Sequence, residues 1–144
     1  MTTTTYVSIA ADLDENLKPF YFVKVGMTGS CPRERCDKQR LKLIWAVKSD
    51  RVNFEAQLQS VAHKLFGCTS FNYRPAGVME SYGQFESPQF AFNACWTLLR
   101  EWSTIVDQAD ADTASLTSMP DNRDRLTREM MRCNVLDYGR RIAA

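Results

Sequence analysis

The chain has 144 residues, with 18 Lys plus Arg, 17 Asp plus Glu and a net charge of +1. Hydrophobic residues make up 44% and charged residues 24%, which is typical of a soluble globular domain. No apolar run reaches the ~18 residues of a membrane span, and the N-terminal residues lack a signal-peptide pattern. These features predict a chain that neither enters a membrane nor is secreted.

The five cysteines are an odd number, and their spacing shows no disulfide framework. We therefore expect free thiols and a cytoplasmic location, with Cys95 buried in an apolar helix. Cys31 and Cys36 form a close pair with four residues between them, so a zinc site completed by Cys68 or His63 is an alternative.

Three segments rich in β-branched and aromatic residues predict strands over residues 4–9, 20–25 and 41–47. The first two strands are expected to form an antiparallel hairpin, with Gly26 ending the second strand. A proline at the first position predicts a short helix over residues 32–38. The N-terminal part of the chain should therefore be built around an antiparallel sheet.

Two longer helices are expected further along the chain. Apolar residues recur at helical spacing along one face of the first, namely Phe54, Leu58, Val61, Ala62 and Leu65. The second runs from Pro88 to about Trp102, and residues 68–83 between the two are predicted as a long loop. The sequence therefore predicts an α+β fold, in which a small antiparallel sheet of three or slightly more strands is flanked by helices.

The composition divides the chain into three parts. Residues 1–104 carry the predicted sheet and helices and form one domain. Residues 105–120 are acidic, polar and poor in large apolar side chains, which indicates a linker. Residues 121–144 are predicted to form an arginine-rich C-terminal helix, which is a candidate surface for binding a protein partner.

Four residues whose side chains suit phosphate chemistry lie in or next to the predicted strands and helices. Tyr6 stands in the first strand and Lys24 in the second, two residues before Gly26. Arg35 follows the glycine loop, and Glu55 lies on the first long helix. In type, order and spacing these residues resemble the GIY-YIG nuclease superfamily, in particular its phage-borne and fungal branch with a Lys-Ile-Gly type of second motif. The likeness covers residues 4 to 90.

Elementary chemistry is consistent with this resemblance. Cleavage of a phosphodiester needs a proton acceptor, a cation for the developing charge and a metal ligand. Adjacent antiparallel strands can present Tyr6 and Lys24 side by side. The planar fork of Arg35 suits phosphate oxygens, and the Glu55 carboxylate suits a hard divalent cation.

The resemblance implies a fold of the GIY-YIG nuclease type and a Mg²⁺-dependent endonuclease, with Mn²⁺ as the other candidate ion. Tyr6 is then the general base, Lys24 an auxiliary cation and Glu55 the metal ligand. Arg35 stabilises the transition state, and His63 is a further candidate catalytic residue. The favoured substrate is DNA, with RNA left open, and a phage or mobile element is the expected origin.

Residues 31–51 contain seven basic and three acidic side chains, a local net charge of +4 in a nearly neutral chain. Such a cluster suits contact with a phosphate backbone. The candidate nucleic-acid-binding residues are Arg33, Lys38, Arg40 and Lys42. Arg33 is also the rival of Arg35 for the catalytic arginine.

The chain also departs from the family pattern. Thr4 and Thr5 replace the glycine and isoleucine of the first motif. Gln59 stands four residues before His63, where the resemblance leads us to expect glutamate, and Gln84 replaces another acidic residue. The alternative function is therefore a catalytically weakened domain that binds nucleic acid or protein without cleaving.

Overall fold

The computed structural model describes residues 3–49, 54–73, 75–105 and 115–117. The elements follow the chain in the order β1 (Thr3–Leu13), β2 (Pro19–Thr28), α1 (Pro32–Lys38), β3 (Lys42–Ser49), α2 (Phe54–Phe66), β4 (Cys68–Tyr73), β5 (Gly77–Phe85), α3 (Pro88–Ile105) and β6 (Ser115–Thr117). The predicted α+β class is confirmed, and so are the three predicted strands and three predicted helices within the first 105 residues.

The six strands within the described residues belong to one antiparallel sheet in the order β4-β5-β2-β1-β3-β6. Five of them are six residues or longer, and β6 has three. The predicted β1–β2 hairpin forms with Tyr6 opposite Gly26 and Ser8 opposite Lys24. The central strand β1 is therefore flanked on both sides, which explains why its side chains from Thr4 to Ala11 are all buried.

The prediction of a loop over residues 68–83 was wrong, because this segment forms the β4–β5 hairpin. Phe71 and Tyr73 alternate with exposed residues along β4 and pack against Phe22 with ring centroids 5.1 and 5.4 Å away. The turn residues dominated the sequence pattern, although Gly77, with φ of 82°, only closes the hairpin. Burial of the aromatic side chains outweighs the weak local strand propensity.

Both faces of the sheet are covered. On one face α2 and α3 pack over β1, β2 and β3, with Trp102 in contact with the rings of Trp45 and Phe54. On the other face Cys36 of α1 packs in a second apolar cluster that contains Tyr6, Phe22, Leu41, Tyr73 and Met79. The two long helices and α1 therefore lie on opposite sides of the sheet.

The sheet opens between β2 and β5. These strands pair only at Tyr21 opposite Phe85 and Val23 opposite Tyr82, so β5 has one extra residue between the two pairs. Gly83 lies in this bulge with φ of 74°, and a Cβ atom there would overlap the Phe85 ring. Beyond this point the strands separate, and the end of β2 from Lys24 onward is not paired with β5 in the described ladder.

The C-terminal part of the chain is described only in part. The described helices end at Ile105, close to the predicted domain boundary, and residues 115–117 of the predicted linker form β6 against β3. The predicted C-terminal helix over residues 121–144 and the rest of the linker lie outside the described residues. Among the helices in the described ranges, none has the length and hydropathy of a transmembrane segment.

Candidate active site

A cavity of about 360 Å³ lies where β2 and β5 separate. Tyr6 of β1, Lys24 of β2, Arg35 of α1 and Glu55 of α2 all line it. Although α1 and α2 lie on opposite faces of the sheet, Arg35 of α1 and Glu55 of α2 both line this cavity. The structure therefore brings together four of the residues selected from the sequence, which come from four separate elements.

The Tyr6 hydroxyl lies close to Lys24 and Arg35, the two cationic side chains that line the cavity. Tyr6 is only 1% exposed, and its ring packs in the second apolar cluster, over Gly26 of β2. Lys24 Nζ donates a hydrogen bond to Tyr6 Oη at 3.3 Å and lies 5.4 Å from the centroid of the ring. Arg35 also lies near the phenol, and its charge lowers the pKa of Tyr6. Two cationic groups are thus close to one phenol oxygen.

Gly26 makes room for the Tyr6 ring. It does not end β2 as predicted, since the strand continues to Thr28 with Gly26 opposite Tyr6. A Cβ atom at position 26 would overlap the end of the Tyr6 ring, including its hydroxyl. An aromatic ring laid over a strand glycine is a known way of stabilising such a position. The glycine is therefore needed for the placement of the phenol rather than for a turn.

We expect Gly26→Ala to disturb both stability and the site. The added methyl group pushes the Tyr6 ring out of place, which should lower the free energy of unfolding by about 1–3 kcal/mol. A hydroxyl displaced by about 1 Å should also lower the activity proposed below by about 100-fold. Gly29→Ala is the matched control, because a Cβ atom there meets nothing within 4 Å. Urea unfolding and turnover would be measured for both, and equal behaviour of the two variants would contradict this role of Gly26.

The surroundings of Tyr6 and Lys24 shift the pKa of each side chain in the direction that favours its neutral form. Burial raises the pKa of Tyr6 above its ordinary value of 10.0, and Cys36 and Glu55 add to this rise, whereas Arg35 opposes it. Burial also lowers the pKa of Lys24 below 10.5. The Tyr6 phenol is therefore protonated at neutral pH, and the cations beside it favour loss of that proton.

Of the two candidate arginines, Arg35 lines the cavity and Arg33 does not. The two residues are two positions apart on α1, which turns their side chains to different sides of a helix. Cys36 is buried against the sheet and sets the rotation of α1. Arg33 and Lys38 are exposed on the same helix.

The other two candidate nucleic-acid-binding residues follow α1. Arg40 is exposed in the turn after the helix, and Lys42 is half-buried at the start of β3. With Arg33 and Lys38, they form a basic segment that runs from α1, the helix that supplies Arg35 to the cavity, to the start of β3. This placement is suitable for a phosphate backbone that continues past the cavity.

The oxygen donors that line the cavity suit a hard divalent cation. The half-buried Glu55 and the exposed Glu80 contribute carboxylates, and Gln39 and Gln59 contribute side-chain amides. Gln39 Oε1 is buried without a hydrogen-bond partner. Among the described residues no group of three or more His, Cys, Asp or Glu side chains is placed to hold a metal ion. Magnesium is nevertheless commonly bound by one or two carboxylates together with substrate phosphate and water.

His63 is not brought into this cavity. It is exposed on α2 and lines a neighbouring cavity of about 530 Å³, which shares Gln59 and Glu80 as a common wall. The zinc alternative gains no support, because no metal-holding group that includes Cys31, Cys36 or Cys68 occurs in the described part of the chain.

The cysteines of the described ranges are free. Cys36 and Cys95 are buried, as expected for Cys95, whereas Cys31 and Cys68 are exposed. Burial raises the pKa of Cys36 to about 12, so its thiol stays protonated next to the site. Cys36 therefore acts as a small apolar packing group under the cationic side of the cavity.

Sequence reasoning missed Gln39 and Glu80 as members of the cavity. Gln39 lies four residues after Arg35, so a search for residues on the same helical side as Arg35 would have found it. Glu80 lies in the segment that was predicted as a loop, and only the β4–β5 hairpin places it near β2. Gln84, the other substituted acidic position, does not line the cavity.

Comparison of the chain with models of protein families, with curated proteins and with solved structures finds no match. Functional inference therefore depends on the geometry of the cavity and on the chemistry of the side chains that line it.

Proposed function

We propose that this protein is a divalent-metal-dependent endonuclease of the GIY-YIG type that hydrolyses phosphodiester bonds, with DNA as the favoured substrate. One observation carries the proposal: Tyr6, Lys24, Arg35 and Glu55 line the same cavity although they are separated by up to 49 positions in the chain. A phenol, two cations and a carboxylate are the groups that metal-assisted phosphodiester hydrolysis requires.

In this proposal Arg35 and Lys24 act on the phosphate. Both cations lie beside Tyr6 Oη, so a phosphate held by them stands next to the phenol. The fork of Arg35 binds two non-bridging phosphate oxygens, and its charge stabilises the additional negative charge of the transition state. Lys24, which is half-buried, contributes a second charge in a place from which water is partly excluded.

Tyr6 acts as the general base. Tyr6 lines the cavity, and its ring is held by the packed sheet and by Gly26. When the phenol has lost its proton, the oxygen takes one proton from the attacking water. The fixed ring keeps that oxygen in place, which lowers the entropy lost in reaching the transition state.

Glu55 would hold the divalent cation in the cavity, which Glu80 and two amide side chains also line. When bound, such an ion neutralises phosphate charge and stabilises the departing oxygen. Glu55 lies in the first turn of α2, where the helix dipole favours a negatively charged side chain.

The test is cleavage of nucleic acids by the full chain. Supercoiled plasmid, linear duplex, branched DNA, single-stranded DNA and RNA would each be incubated with Mg²⁺, with Mn²⁺ and with excess chelator. We expect cleavage of at least one DNA substrate with either ion and none with the chelator. Absence of cleavage of every substrate with both ions would reject the proposal.

A second function is favoured by one specific observation. Gln59 lines the cavity where the family resemblance leads us to expect a glutamate. An amide is a weaker ligand for a divalent cation than a carboxylate. If this substitution removes metal binding, the domain serves as a nucleic-acid-binding module that does not cleave. Salt-dependent binding of DNA together with no cleavage would establish this alternative.

Binding by itself can be tested at the basic segment of α1. Both functions predict that the double variant Arg33→Ala/Lys38→Ala binds DNA more weakly and lowers the slope of log K against log salt by about 2. The double variant Lys18→Ala/Lys64→Ala removes the same charge from other exposed positions and is the control. Fluorescence anisotropy at several salt concentrations would measure the slopes, and equal slopes would rule out α1 as the phosphate-binding element.

A further inference from the structure

A second cavity adjoins the first and has no part in the phosphate chemistry proposed above. Its volume is about 530 Å³, which is within the range of small-ligand sites. Helix α2 contributes Gln59, Ser60 and His63 to its lining. Strand β5 contributes Glu80 and Tyr82. Because Gln59 and Glu80 also line the first cavity, a ligand bound in the first cavity can extend directly into the second.

One stripe of α2 connects the two cavities. Glu55, Gln59 and His63 follow one another at intervals of four residues, so their side chains lie on one side of the helix. The stripe begins at Glu55 in the first cavity and ends at His63 in the second, about 12 Å further along the helix axis. Phosphates of one DNA strand are about 3.4 Å apart along a duplex axis. A nucleic-acid strand cleaved in the first cavity is therefore long enough to place a neighbouring nucleotide in the second.

The side chains that line the second cavity suit a nucleobase better than a phosphate. Lys64 and Glu80 both line it and have opposite charges, so they provide no excess of positive charge for a second phosphate. The Glu80 carboxylate and the Gln59 amide can accept hydrogen bonds from the amino groups of a base. The exposed His63 imidazole offers a ring for stacking. Tyr82, which is 2% exposed and packed with residues of α2 and α3, adds a fixed aromatic wall.

We propose that the second cavity binds the base of a nucleotide next to the cleaved phosphate, and that this base is unpaired. The inference rests on the proposed endonuclease function and narrows its substrates to nucleic acids with an unpaired nucleotide at the cleavage site, such as single strands, bulges and branches. A base inside a duplex is stacked and paired, so it must leave the helix before it reaches a cavity on a protein. His63 then binds the substrate beside the active site and takes no part in proton transfer.

The first test measures binding by the full chain with excess chelator, so that no strand is cut. One probe is a duplex with a single unpaired cytosine in the middle of one strand, and the other is the same duplex in which that nucleotide lacks its base. We expect about 10-fold tighter binding of the complete probe, because the abasic probe loses the stacking of the base. Fluorescence anisotropy would measure both affinities. Equal affinities would overturn the proposal, since the backbone alone would then account for binding.

Two variants test where the base is bound. His63→Ala removes the exposed ring, and Ser60→Leu fills part of the second cavity; both positions are exposed, so stability should change little. Each variant should reduce the preference for the complete probe to less than about 3-fold and leave the affinity for the abasic probe unchanged. The control Phe90→Ala removes an exposed ring from α3 that lines neither cavity, and it should keep the full preference. An undiminished preference in both His63→Ala and Ser60→Leu would overturn the assignment to this cavity.

Cleavage with Mg²⁺ gives a second readout. We expect kcat/KM to be about 10- to 100-fold higher for the duplex with the unpaired cytosine than for the fully paired duplex, because its base has already left the stack. Equal or faster cleavage of the fully paired duplex would overturn the proposal. If no substrate is cleaved with Mg²⁺ or Mn²⁺, the proposed endonuclease function fails. The binding preference measured with chelator then still decides whether the second cavity takes a base, so the two failures can be told apart.

Discussion

Replacement of Glu55 by Gln should abolish cleavage while the protein remains folded. The variant keeps the size of a half-buried side chain and removes only the charge that would bind the cation. We expect kcat to fall by about 1000-fold, whereas the free energy of unfolding should change by less than about 1 kcal/mol, the typical contribution of a carboxylate in the first turn of a helix. Plasmid nicking, urea unfolding and Mg²⁺ titration would measure the three quantities.

The control for this variant is Glu101→Gln, which removes the same charge from an exposed position on α3. It should leave cleavage, stability and Mg²⁺ affinity unchanged. DNA binding without metal should be equal to or slightly stronger than wild type in Glu55→Gln, because a negative charge has left the cavity. Cleavage by Glu55→Gln at more than a tenth of the wild-type rate would show that Glu55 is not the metal ligand.

Tyr6→Phe should have an effect of similar size. The variant keeps the ring packed over Gly26 and removes the hydroxyl to which Lys24 donates a hydrogen bond. Without a general base we expect kcat to fall by about 100- to 10,000-fold. Stability should change little or rise, because Lys24 and Arg35 can be hydrated through the cavity once the hydroxyl is absent. Single-turnover cleavage would measure the loss.

The pH dependence gives a sharper test of Tyr6. Because burial raises the pKa of its phenol above 10.0, only a small fraction is deprotonated at neutral pH. At pH values below that pKa, each unit by which the pH rises increases the fraction of phenolate about tenfold. A plot of log kcat against pH should therefore have a slope of about 1 from pH 7 to pH 9. Tyr6→Phe should lose this slope. An equal slope in both proteins would mean that another group is the base.

Tyr73→Phe is the matched control for the loss of a buried tyrosine hydroxyl. Tyr73 is also fully buried and belongs to the same apolar cluster, and its hydroxyl donates to the Arg40 carbonyl oxygen at 2.9 Å. Its removal should lower the free energy of unfolding by about 0.5–1.5 kcal/mol and leave the pH profile of cleavage intact. A loss of activity in Tyr73→Phe like that in Tyr6→Phe would point to a general effect on the fold.

The part of the site that sequence reasoning predicted best is the pair formed by Tyr6 and Lys24. Both lie on one hairpin with a short connection, and side chains two positions apart on a strand share a face of the sheet. Once the hairpin is assigned, Tyr6 lies opposite Gly26, and Lys24 follows on the same face. The information needed to place these two side chains is local, so hydrophobic patterning and strand propensity are sufficient to predict their positions.

The choice between Arg33 and Arg35 could not be made from the sequence. A helix of seven residues has two turns, and either arginine could face the sheet. The choice depends on which side of α1 is buried, and that follows from the contact of Cys36 with residues of the second apolar cluster. The same contact determines that Gln39, one turn after Arg35, enters the cavity.

The sequence alone determined the α+β class, the β1–β2 hairpin, the three helices and the types of residue available for phosphate chemistry. Only the tertiary structure decided that the cavity exists. The cavity requires β5 to pair with β2 at two positions and then to separate from β2, through a bulge at Gly83. That pairing joins residues about 60 positions apart, and its register depends on the packing of side chains on both faces of the sheet, which no local pattern contains.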